Sequence, residues 1–296
     1  MTTGISLRQH IQAGGLLVAP GAYDAIGARL IEQAGFGAVY MTGAGTSAAR
    51  GYPDFGLLTM SEMVDNAATM AAAVGVPLIA DADTGYGNEL NVTRTVREYE
   101  ARGVAAVHIE DQVSPKRCGH LDGKEVVSRE EFVSKIRAAV EARRTTHFVV
   151  IARTDARATT SLDEAVWRAN AALDAGADMA FVEAPQTLDE VQAVPRLVNG
   201  PCLLNMVPGG RTPLPALREV EAMGYRLAIL PGVMLRAAIE AGDAALAHIL
   251  RTGEVPAMDA DVASVFRRFG AVEWEALRQR FNAGAPMAAA GTARRT

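Results

Sequence analysis

Cysteine is scarce in this chain, and long apolar runs are missing from it. The only thiols are Cys118 and Cys202, too few for a disulfide framework or the ligand set of a zinc site. No apolar run approaches the roughly 20 residues of a membrane-spanning helix. Residues Met1–Gln12 lack the charged and apolar regions of a signal peptide. We therefore expect a reducing, cytoplasmic location and no membrane partner.

Concentrated positive charge is also missing. The net charge of −5 comes with no long basic run, and nucleic-acid phosphates are bound by concentrated positive charge. Nucleic acid is therefore not expected as a partner, although a local cationic pocket for a small anion remains compatible with the composition. The 296 residues, of which 49% are apolar and 21% charged, suit one large α/β domain or two ordinary ones.

Short apolar runs alternate along the chain with longer amphipathic stretches. Continuously apolar runs separated by helices are typical of parallel strands that are covered on the outside of the sheet. Eight such units in roughly 250 residues predict a (β/α)₈ barrel of the TIM type. A doubly wound open sheet is the alternative, but it would carry a G-x-G-x-x-G turn after its first strand, where this chain has Pro20-Gly21-Ala22-Tyr23-Asp24.

The predicted strands are Leu16–Ala19, Ala38–Thr42, Pro77–Asp81, Ala105–Ile109, Phe148–Ala152, Met179–Val182, Cys202–Met206 and Leu227–Leu230. The predicted helices are Tyr23–Ala34, Ser61–Ala73, Asn91–Arg102, Arg129–Arg143, Leu162–Ala175, Leu188–Leu197, Pro215–Met223 and Leu235–Leu250. We expect the barrel domain to span residues 1–250 and a C-terminal helical extension to span 251–283. That extension contains a helical pattern over Asp259–Asn282. Residues 284–296 are rich in Ala, Gly and Arg and are expected to form a poorly ordered tail.

Polar side chains stand at the ends of six of the eight predicted strands. In a (β/α)₈ barrel the reactive groups sit at the C-terminal ends of the strands, so these side chains are expected to converge on one pocket. They include Tyr40, the segment Thr42-Gly43-Ala44-Gly45, Asp81, Asp83, Glu110, Arg153, Glu183 and Asn205.

Three of these residues predict a metal site. Asp81 and Asp83 alternate along a strand, so both side chains lean to one face, where two carboxylates repel unless a cation or a proton compensates. With Glu110 nearby they form a hard oxygen site suited to Mg²⁺ or Mn²⁺, bound directly or through water. The alternative is that one of the carboxylates caps a helix or pairs with Arg153.

Each of the other strand-end residues can be interpreted either as a substrate-binding group or as a structural one. The turn at Thr42–Gly45 offers backbone N–H groups to a carboxylate or phosphate, as any tight loop would. Arg153 can clamp a carboxylate with two hydrogen bonds or form a structural ion pair with Asp155 or Glu183. Asn205 can bind a substrate carboxylate or satisfy backbone groups.

His108 and Cys118 can likewise be interpreted as structural or as functional residues. His108, inside an apolar strand, is as compatible with a buried structural role as with a functional one. Cys202 opens an apolar strand and is expected to be inert core. Cys118 lies in Lys116-Arg117-Cys118-Gly119-His120, where two positive neighbours favour the thiolate and make the sulfur usable as an acid, base or nucleophile. The alternative is an incidental cysteine on a surface loop.

Together these segments resemble a known family. The run Lys116–His120, combined with Asp81-Ala82-Asp83, His108–Gln112 and Ala152–Ala156, is similar to the isocitrate lyase/phosphoenolpyruvate mutase superfamily from about Gly15 to Ala241. The motifs are nearest to those of 2-methylisocitrate lyases, dimethylmalate lyases and carboxyphosphonoenolpyruvate mutases. The resemblance implies an α/β barrel, a Mg²⁺ site that Mn²⁺ can also fill, and a homotetramer built as a dimer of helix-swapped dimers.

The resemblance also implies a role for each matching residue. Asp83 matches the carboxylate that binds the metal directly, while Asp81 and Glu110 match those that hold its waters. Cys118 matches the catalytic cysteine on a mobile gate, and Tyr40 matches a tyrosine proposed as the base. Arg153 matches a catalytic pocket residue. The residues that match or flank the substrate-binding positions are Thr42, Gly43, Ala44, Asp54, Lys116, Arg117, Gly119, His120, Glu183 and Asn205.

The activity implied is a Mg²⁺-dependent carbon–carbon lyase. It would cleave a 2-methylisocitrate- or 2-alkylmalate-like 2-hydroxy acid by retro-aldol chemistry to pyruvate and a second carboxylate. A carboxyphosphonoenolpyruvate-type phosphonomutase, an oxaloacetate hydrolase or decarboxylase, and a binding protein without activity are the alternatives; Cys118 argues against the decarboxylase. Pro208 stands where relatives usually carry Glu, and Leu230-Pro231-Gly232-Val233 replaces the more usual Tyr-Pro-Leu-Ser. Both departures leave the exact substrate open and favour a less polar distal group.

Overall fold

Eight parallel strands close into a barrel in the computed structural model, which describes residues 3–257 and 260–283. Each strand pairs with the next along the chain, and β8 pairs with β1 through the register Leu17↔Leu227 to Pro20↔Leu230. The strands are β1 Leu17–Ala22, β2 Val39–Met41, β3 Leu78–Asp81, β4 Ala106–Glu110, β5 Val149–Thr154, β6 Met179–Val182, β7 Cys202–Asn205 and β8 Leu227–Leu230. The predicted barrel and all eight predicted strands are confirmed.

Helices alternate with the strands and cover the barrel. They are α1 Thr3–Ala13, α2 Ala25–Gln33, α3 Gly43–Ala49, α4 Met60–Ala73, α5 Glu89–Ala101, α6 Arg129–Ala142, α7 Ala156–Thr159, α8 Leu162–Asp174, α9 Leu188–Leu197, α10 Leu217–Met223, α11 Val233–Thr252, α12 Val262–Arg267 and α13 Ala271–Ala283. Side-chain caps set several starts, since Ser128, Ser161 and Thr187 each accept a hydrogen bond from a backbone N–H three residues on. The seven helices predicted between the strands and the eighth predicted after β8 are confirmed, with shifts of at most two residues at either end.

Three helices were not predicted: α1, α3 and α7. The segment Gly43–Ala49 reads as a turn because it is made of small residues without an amphipathic pattern, yet it is helical and is capped by the Thr42 hydroxyl. The C-terminal pattern predicted over Asp259–Asn282 divides into α12 and α13, with Gly270 between them at a φ of 85°. Asp259 and the predicted tail, residues 284–296, lie outside the described residues.

One end of the barrel interior is filled by α1. Leu7 and Ile11 of this helix are buried in the same cluster as Ile79, Ile151 and Leu203 from the strands. Arg8 fixes the helix through an ion pair of 2.9 Å with Asp178. A second apolar layer packs between the outside of the strands and the surrounding helices. Polar groups are therefore left to the opposite end, where the strands terminate.

The chain divides into two units, Met1–Gly242 and Asp243–Thr296. The first contains the whole barrel and the beginning of α11. The second contains the rest of α11 together with α12 and α13. Nowhere in residues 3–257 or 260–283 is there a helix with the length and apolar character needed to span a membrane.

Candidate active site

A cavity of about 120 Å³ opens where the strands end. Twelve of the sixteen residues predicted for the site line it: Tyr40, Thr42, Ala44, Asp54, Asp81, Lys116, Cys118, Gly119, His120, Arg153, Glu183 and Asn205. The other four, Gly43, Asp83, Glu110 and Arg117, lie behind this lining or beside it. The prediction that the strand ends meet in one pocket is confirmed by this geometry.

Asp81 is held in place at the end of β3. Its Oδ2 accepts a hydrogen bond of 3.2 Å from the Gly43 N–H, and its Oδ1 accepts one of 3.0 Å from the Asp83 N–H. Burial alone would raise its pKa, but the nearby positive groups of Lys116 and Arg153, together with the His108 ring, lower the pKa to about 2. Asp81 is therefore ionised, and it also takes the predicted alternative role of binding a helix N-terminus.

The turn after β3 places Asp83. Four residues in it have a positive φ, which is 45° at Asp83, 79° at Gly85, 63° at Tyr86 and 148° at Gly87. For the two residues that are not glycine, such a conformation costs energy and persists only where surrounding contacts impose it. One of these contacts is the Glu110 N–H, which donates to the Asp83 carbonyl at 2.9 Å. Burial, with the negative charges of Asp81 and Asp54 adding to it against the opposing Lys116 ammonium, raises the pKa of Asp83 to about 6.

Arg153 connects three carboxylates in the interior. Its Nε lies 2.9 Å from Asp155 and 3.1 Å from Glu110, and its Nη2 lies 3.6 Å from Glu183. Burial raises the pKa of Glu110 well above its usual range, against the opposing charge of Arg153. The structural ion pairs considered as the alternative for Arg153 are thus present, and the same guanidinium also lines the cavity.

The predicted metal ligands can be tested against their geometry. Within the described parts of the chain, no three His, Cys, Asp or Glu side chains gather closely enough to hold a metal ion together, so a direct three-carboxylate site is not what the structure shows. However, Asp83 Oδ1 and both Glu110 carboxylate oxygens are buried without a hydrogen-bond partner, although Lys116 Nζ lies 3.0 Å from Asp83 and Arg153 Nε lies 3.1 Å from Glu110. Buried, unsatisfied carboxylate oxygens suit Mg²⁺ or Mn²⁺. The chemistry of these acids is therefore compatible with a divalent cation at the strand ends.

Cys118 lies in the segment of residues 111–128 between β4 and α6, called here the cysteine loop. The Gln112 side chain holds one part of it, accepting from the Arg117 N–H and donating to the Arg117 carbonyl, both at 2.9 Å. Lys124 holds another part, because its buried ammonium donates to Asp155 at 3.0 Å and also to the Gly119 carbonyl. Sequence reasoning assigned no role to Gln112 or Lys124. The only signal was their proximity to the cysteine motif.

Gly119 and His120 seat this loop against the barrel. A Cβ on Gly119 would lie 2.6 Å from Arg153 Nη2 and 2.7 Å from Glu183 Cγ, so glycine is required for this close approach. His120 Nε2 lies 3.2 Å from Glu183, and its Nδ1 accepts from the Arg211 N–H at 3.1 Å. Both predicted residues therefore position the loop and line the cavity.

The cationic neighbours of Cys118 do not act on its thiol as the sequence suggested. Lys116 is paired with Asp54 and Asp83, and the Arg117 guanidinium lies 5.9 Å from the centre of the Phe55 ring. Burial, with further contributions from the charges of Asp54 and Glu183, raises the pKa of Cys118 despite the His120 backbone N–H. The expected thiolate is therefore wrong. The thiol is protonated at neutral pH and suited to give a proton away.

Tyr40 and His108 form a buried pair beside Asp81. The Tyr40 hydroxyl lies 2.8 Å from His108 Nε2, and that nitrogen lies 3.6 Å from Asp81 Oδ1. Burial raises the pKa of Tyr40 well above its usual value and lowers the pKa of His108 to about 4. At neutral pH the pair is therefore an uncharged phenol against an uncharged imidazole, with the phenol facing the cavity.

A (β/α)₈ barrel whose strand ends bring a thiol, several carboxylates and a buried guanidinium into one cavity has the layout of an active site. The family model described as phosphoenolpyruvate phosphomutase matches residues 7–250, and the chain belongs to the phosphoenolpyruvate mutase/isocitrate lyase superfamily. The superfamily predicted from the motifs is thereby confirmed.

Three curated relatives show where in the superfamily the chain lies. A 2,3-dimethylmalate lyase from Eubacterium barkeri is 51% identical over 242 residues, which is 81% of this chain and 84% of the relative. A 2-methylisocitrate lyase from Aeropyrum pernix is 43% identical over 250 residues, covering 84% and 80%. A chloroplastic carboxyvinyl-carboxyphosphonate phosphorylmutase from Arabidopsis thaliana is 42% identical over 258 residues, covering 85% and 75%. The chain is thus an enzyme of a family that includes carbon–carbon lyases.

Solved structures share the fold closely. An oxaloacetate acetylhydrolase in complex with 3,3-difluorooxalacetate has a TM-score of 0.90 at 39% identity, covering 97% of this chain and 99% of that one. A phosphonopyruvate hydrolase in complex with oxalate and Mg²⁺ has a TM-score of 0.87 at 35% identity, covering 95% and 100%. Relatives with the same fold therefore include hydrolases as well as lyases and mutases.

Proposed function

We propose that this protein is a Mg²⁺-dependent carbon–carbon lyase that cleaves a 2-methylisocitrate- or 2-alkylmalate-like 2-hydroxy acid to pyruvate and a second carboxylate. The observation that carries the proposal is the position of the Cys118 thiol, whose pKa is raised by burial, in a cavity that also contains Asp81, Lys116 and Arg153. A retro-aldol cleavage releases a carbanion next to a carboxylate, and a positioned acid must protonate that carbon. A buried, neutral thiol meets this requirement better than a thiolate would.

Other residues at the cavity have the remaining roles in substrate binding, proton transfer and charge stabilisation. Thr42 and Ala44 line the cavity at the start of α3, on the same side as Asp81, where the carboxylate and hydroxyl of the 2-hydroxy acid would lie. Tyr40 can take the hydroxyl proton in a concerted transfer that passes its own proton to His108, 2.8 Å away. Arg153 and Lys116 would stabilise the negative charge of the substrate. Cys118 then delivers its proton to the departing carbon, and the cysteine loop excludes water from that carbanion.

A divalent cation would complete the site. Asp83 would bind it directly, with Asp81 and Glu110 holding its waters, and the oxygens of Asp83 and Glu110 that lack a hydrogen-bond partner support this assignment. When bound, the metal would supply polarisation of the substrate's hydroxyl and carboxylate oxygens, which lowers the pKa of the hydroxyl. The magnesium in the related phosphonopyruvate hydrolase complex supports the choice of ion.

A panel assay with Mg²⁺ tests the proposal. We expect pyruvate from 2-methylisocitrate or 2,3-dimethylmalate, with no turnover after EDTA treatment and recovery on adding Mg²⁺ or Mn²⁺. Full activity in a verified metal-free preparation would remove the metal from the proposal. Oxalate and acetate from oxaloacetate, without pyruvate from any 2-hydroxy acid, would place the chain with the hydrolases. Rearrangement of a phosphonate substrate would place it with the mutases.

We also propose that the active form is a homotetramer, arranged as a dimer of dimers. Within the C-terminal unit, Leu246, Leu250, Phe266, Trp274 and Phe281 are each at least 60% exposed. Large apolar side chains at this density mark a surface that another chain covers. Light scattering at micromolar protein should give the tetramer mass, and a stable monomer would contradict the assembly while leaving the chemistry untouched.

A further inference from the structure

The cavity has two chemically different walls. Charged side chains line it on the side of β3, β5, β6, the cysteine loop and the segment between α3 and α4, namely Asp54, Asp81, Lys116, Arg153 and Glu183. The residues that line it from the ends of β7 and β8 and the start of α11, beyond Asn205, are Val207, Pro231, Gly232 and Leu235. We call these four residues the apolar wall. Within the described residues, no charged side chain lines the cavity from that wall.

The two arginines close to the apolar wall already have hydrogen-bond or ion-pair partners. Arg236 donates to the Pro208 carbonyl at 2.8 Å. Arg211 donates to the His120 carbonyl at 3.2 Å and pairs with Asp122. Neither guanidinium lines the cavity. A carboxylate placed against the apolar wall would therefore lose its water without gaining a partner, which is costly in a low-dielectric site.

The wall is also fixed in position. Gly21 in β1 lies so close to it that a Cβ there would be 2.4 Å from the Pro231 carbonyl oxygen. The backbone of Pro231 thus packs directly on β1, which fixes this part of the wall. A hydrocarbon surface binds a complementary hydrocarbon group better than a charged one.

We infer that the apolar wall selects a 2-hydroxy dicarboxylate whose C3 carries a small alkyl group over a tricarboxylate; this inference rests on the proposed lyase function. In both substrate classes the C1 carboxylate and the C2 hydroxyl bind at the charged side of the cavity. C3 must then lie beside the Cys118 thiol that protonates it. The C3 substituent then points to the wall that remains. A methyl group is complementary to Val207, Pro231 and Leu235, whereas a carboxymethyl group would place a further negative charge against a wall that offers no cation. Lys116 and Arg153 line the cavity on its charged side and are paired with acids there.

The test compares two substrates that share their reacting ends. 2,3-Dimethylmalate and 2-methylisocitrate both release pyruvate and differ only in a methyl or a carboxymethyl group at C3. For the wild-type enzyme with Mg²⁺, we expect kcat/KM to be at least about 100-fold higher for the dimethyl substrate. Equal or better cleavage of the tricarboxylate would overturn the inference and leave the lyase function standing. No pyruvate from either would remove the proposed function itself, and the inference with it.

A charge placed in the wall sharpens the test. Leu235→Lys provides a partner for a third carboxylate and should reduce the preference for the dimethyl substrate by at least about tenfold. Val233→Lys is the matched control, because Val233 lies two residues away, is exposed, and does not line the cavity. We expect that control to keep the wild-type ratio within about threefold. A shift in Val233→Lys as large as that in Leu235→Lys would mean that general charge, and not the apolar wall, sets the preference.

Discussion

The two cysteines of this chain lie in regions that treat the same side chain differently. Cys202 is in β7, 1% exposed, and burial alone raises its pKa to about 12. Cys118 is in the cysteine loop, partly exposed, and within the influence of Asp54, Arg153 and Glu183. The strand cysteine contacts apolar side chains, whereas the loop cysteine faces a cavity lined by charges. The surroundings of each cysteine, and not the thiol group itself, therefore distinguish the packing role of Cys202 from the chemical role proposed for Cys118.

The largest effect should come from Cys118→Ser. A serine keeps the size but is far less acidic, and positioned proton transfer contributes roughly 10²–10⁴-fold in rate, so kcat should fall by at least about 10²-fold. Substrate affinity in a direct binding measurement should stay within about tenfold, because the other cavity residues are unchanged. Near-normal pyruvate release by this variant would show that the thiol is not the acid.

Cys202→Ser is the matched change in the barrel. It buries a hydroxyl among the apolar neighbours of β7, where only the Gly200 carbonyl, 3.5 Å from the sulfur, is within reach. We expect a loss of about 1–3 kcal/mol in the free energy of unfolding, measured by urea denaturation, with kcat within about twofold of wild type. Cys118→Ser should show the reverse pattern, with an almost unchanged thermal midpoint. If both variants lost stability equally, the distinction between the two regions would fail.

Lys124→Met tests what holds the cysteine loop. The variant keeps the apolar stem but leaves Asp155 and the Gly119 carbonyl without the ammonium. The loop should detach more often, so tryptic cleavage after Lys116 or Arg117 should be faster by about tenfold or more, since losing a buried ion pair costs several kcal/mol. Cys202→Ser leaves these contacts intact and should be cut in the loop at the wild-type rate when digestion is done under conditions where it stays folded. Equal cleavage of Lys124→Met and wild type would mean that other contacts hold the loop.

The smallest effect concerns pH and lies outside both regions. Hydrogen bonds from Arg129 and Arg168 lower the pKa of Glu164 to about 2 in the folded protein, against a mild opposing effect of burial. Because the folded pKa lies below the unfolded one, the stabilisation is present above about pH 4.5 and is lost as the pH falls towards 2. The pair is partly solvated, so Glu164→Gln should cost at most about 1 kcal/mol at pH 7, with the difference from wild type shrinking in acid. A difference that grew below pH 4 would contradict the assignment.

The sequence predicted the barrel well because its strands are buried on both faces and so are largely apolar, as in residues 149–152 of β5. It missed α3, whose small residues carry no periodic pattern. In the site, strand-end residues such as Asp81 and Glu183 were predictable since a barrel brings strand ends together. Lys124 was not, because its partner Asp155 lies 31 residues away and only the fold shows their contact.

The direction of the Cys118 pKa shift could not be predicted from the sequence for the same reason. Two cations next to Cys118 in sequence suggested a thiolate, but Lys116 is paired with Asp54, 62 residues away. Local sequence lists charged neighbours without showing which of them are already neutralised by distant partners. The raised pKa of Cys118 supports the proposed lyase function, because the cleavage requires a protonated thiol.

Cleavage of 2,3-dimethylmalate in D₂O shows whether Cys118 delivers the proton to the released carbon. If Cys118 delivers the proton to the carbanion, its exchanged thiol should transfer one deuteron to one face of that carbon. Mass spectrometry and NMR should then find pyruvate together with monodeuterated propionate of a single configuration at C2. Propionate with the deuteron on both faces, or with no deuteron at C2, would contradict delivery by a fixed thiol.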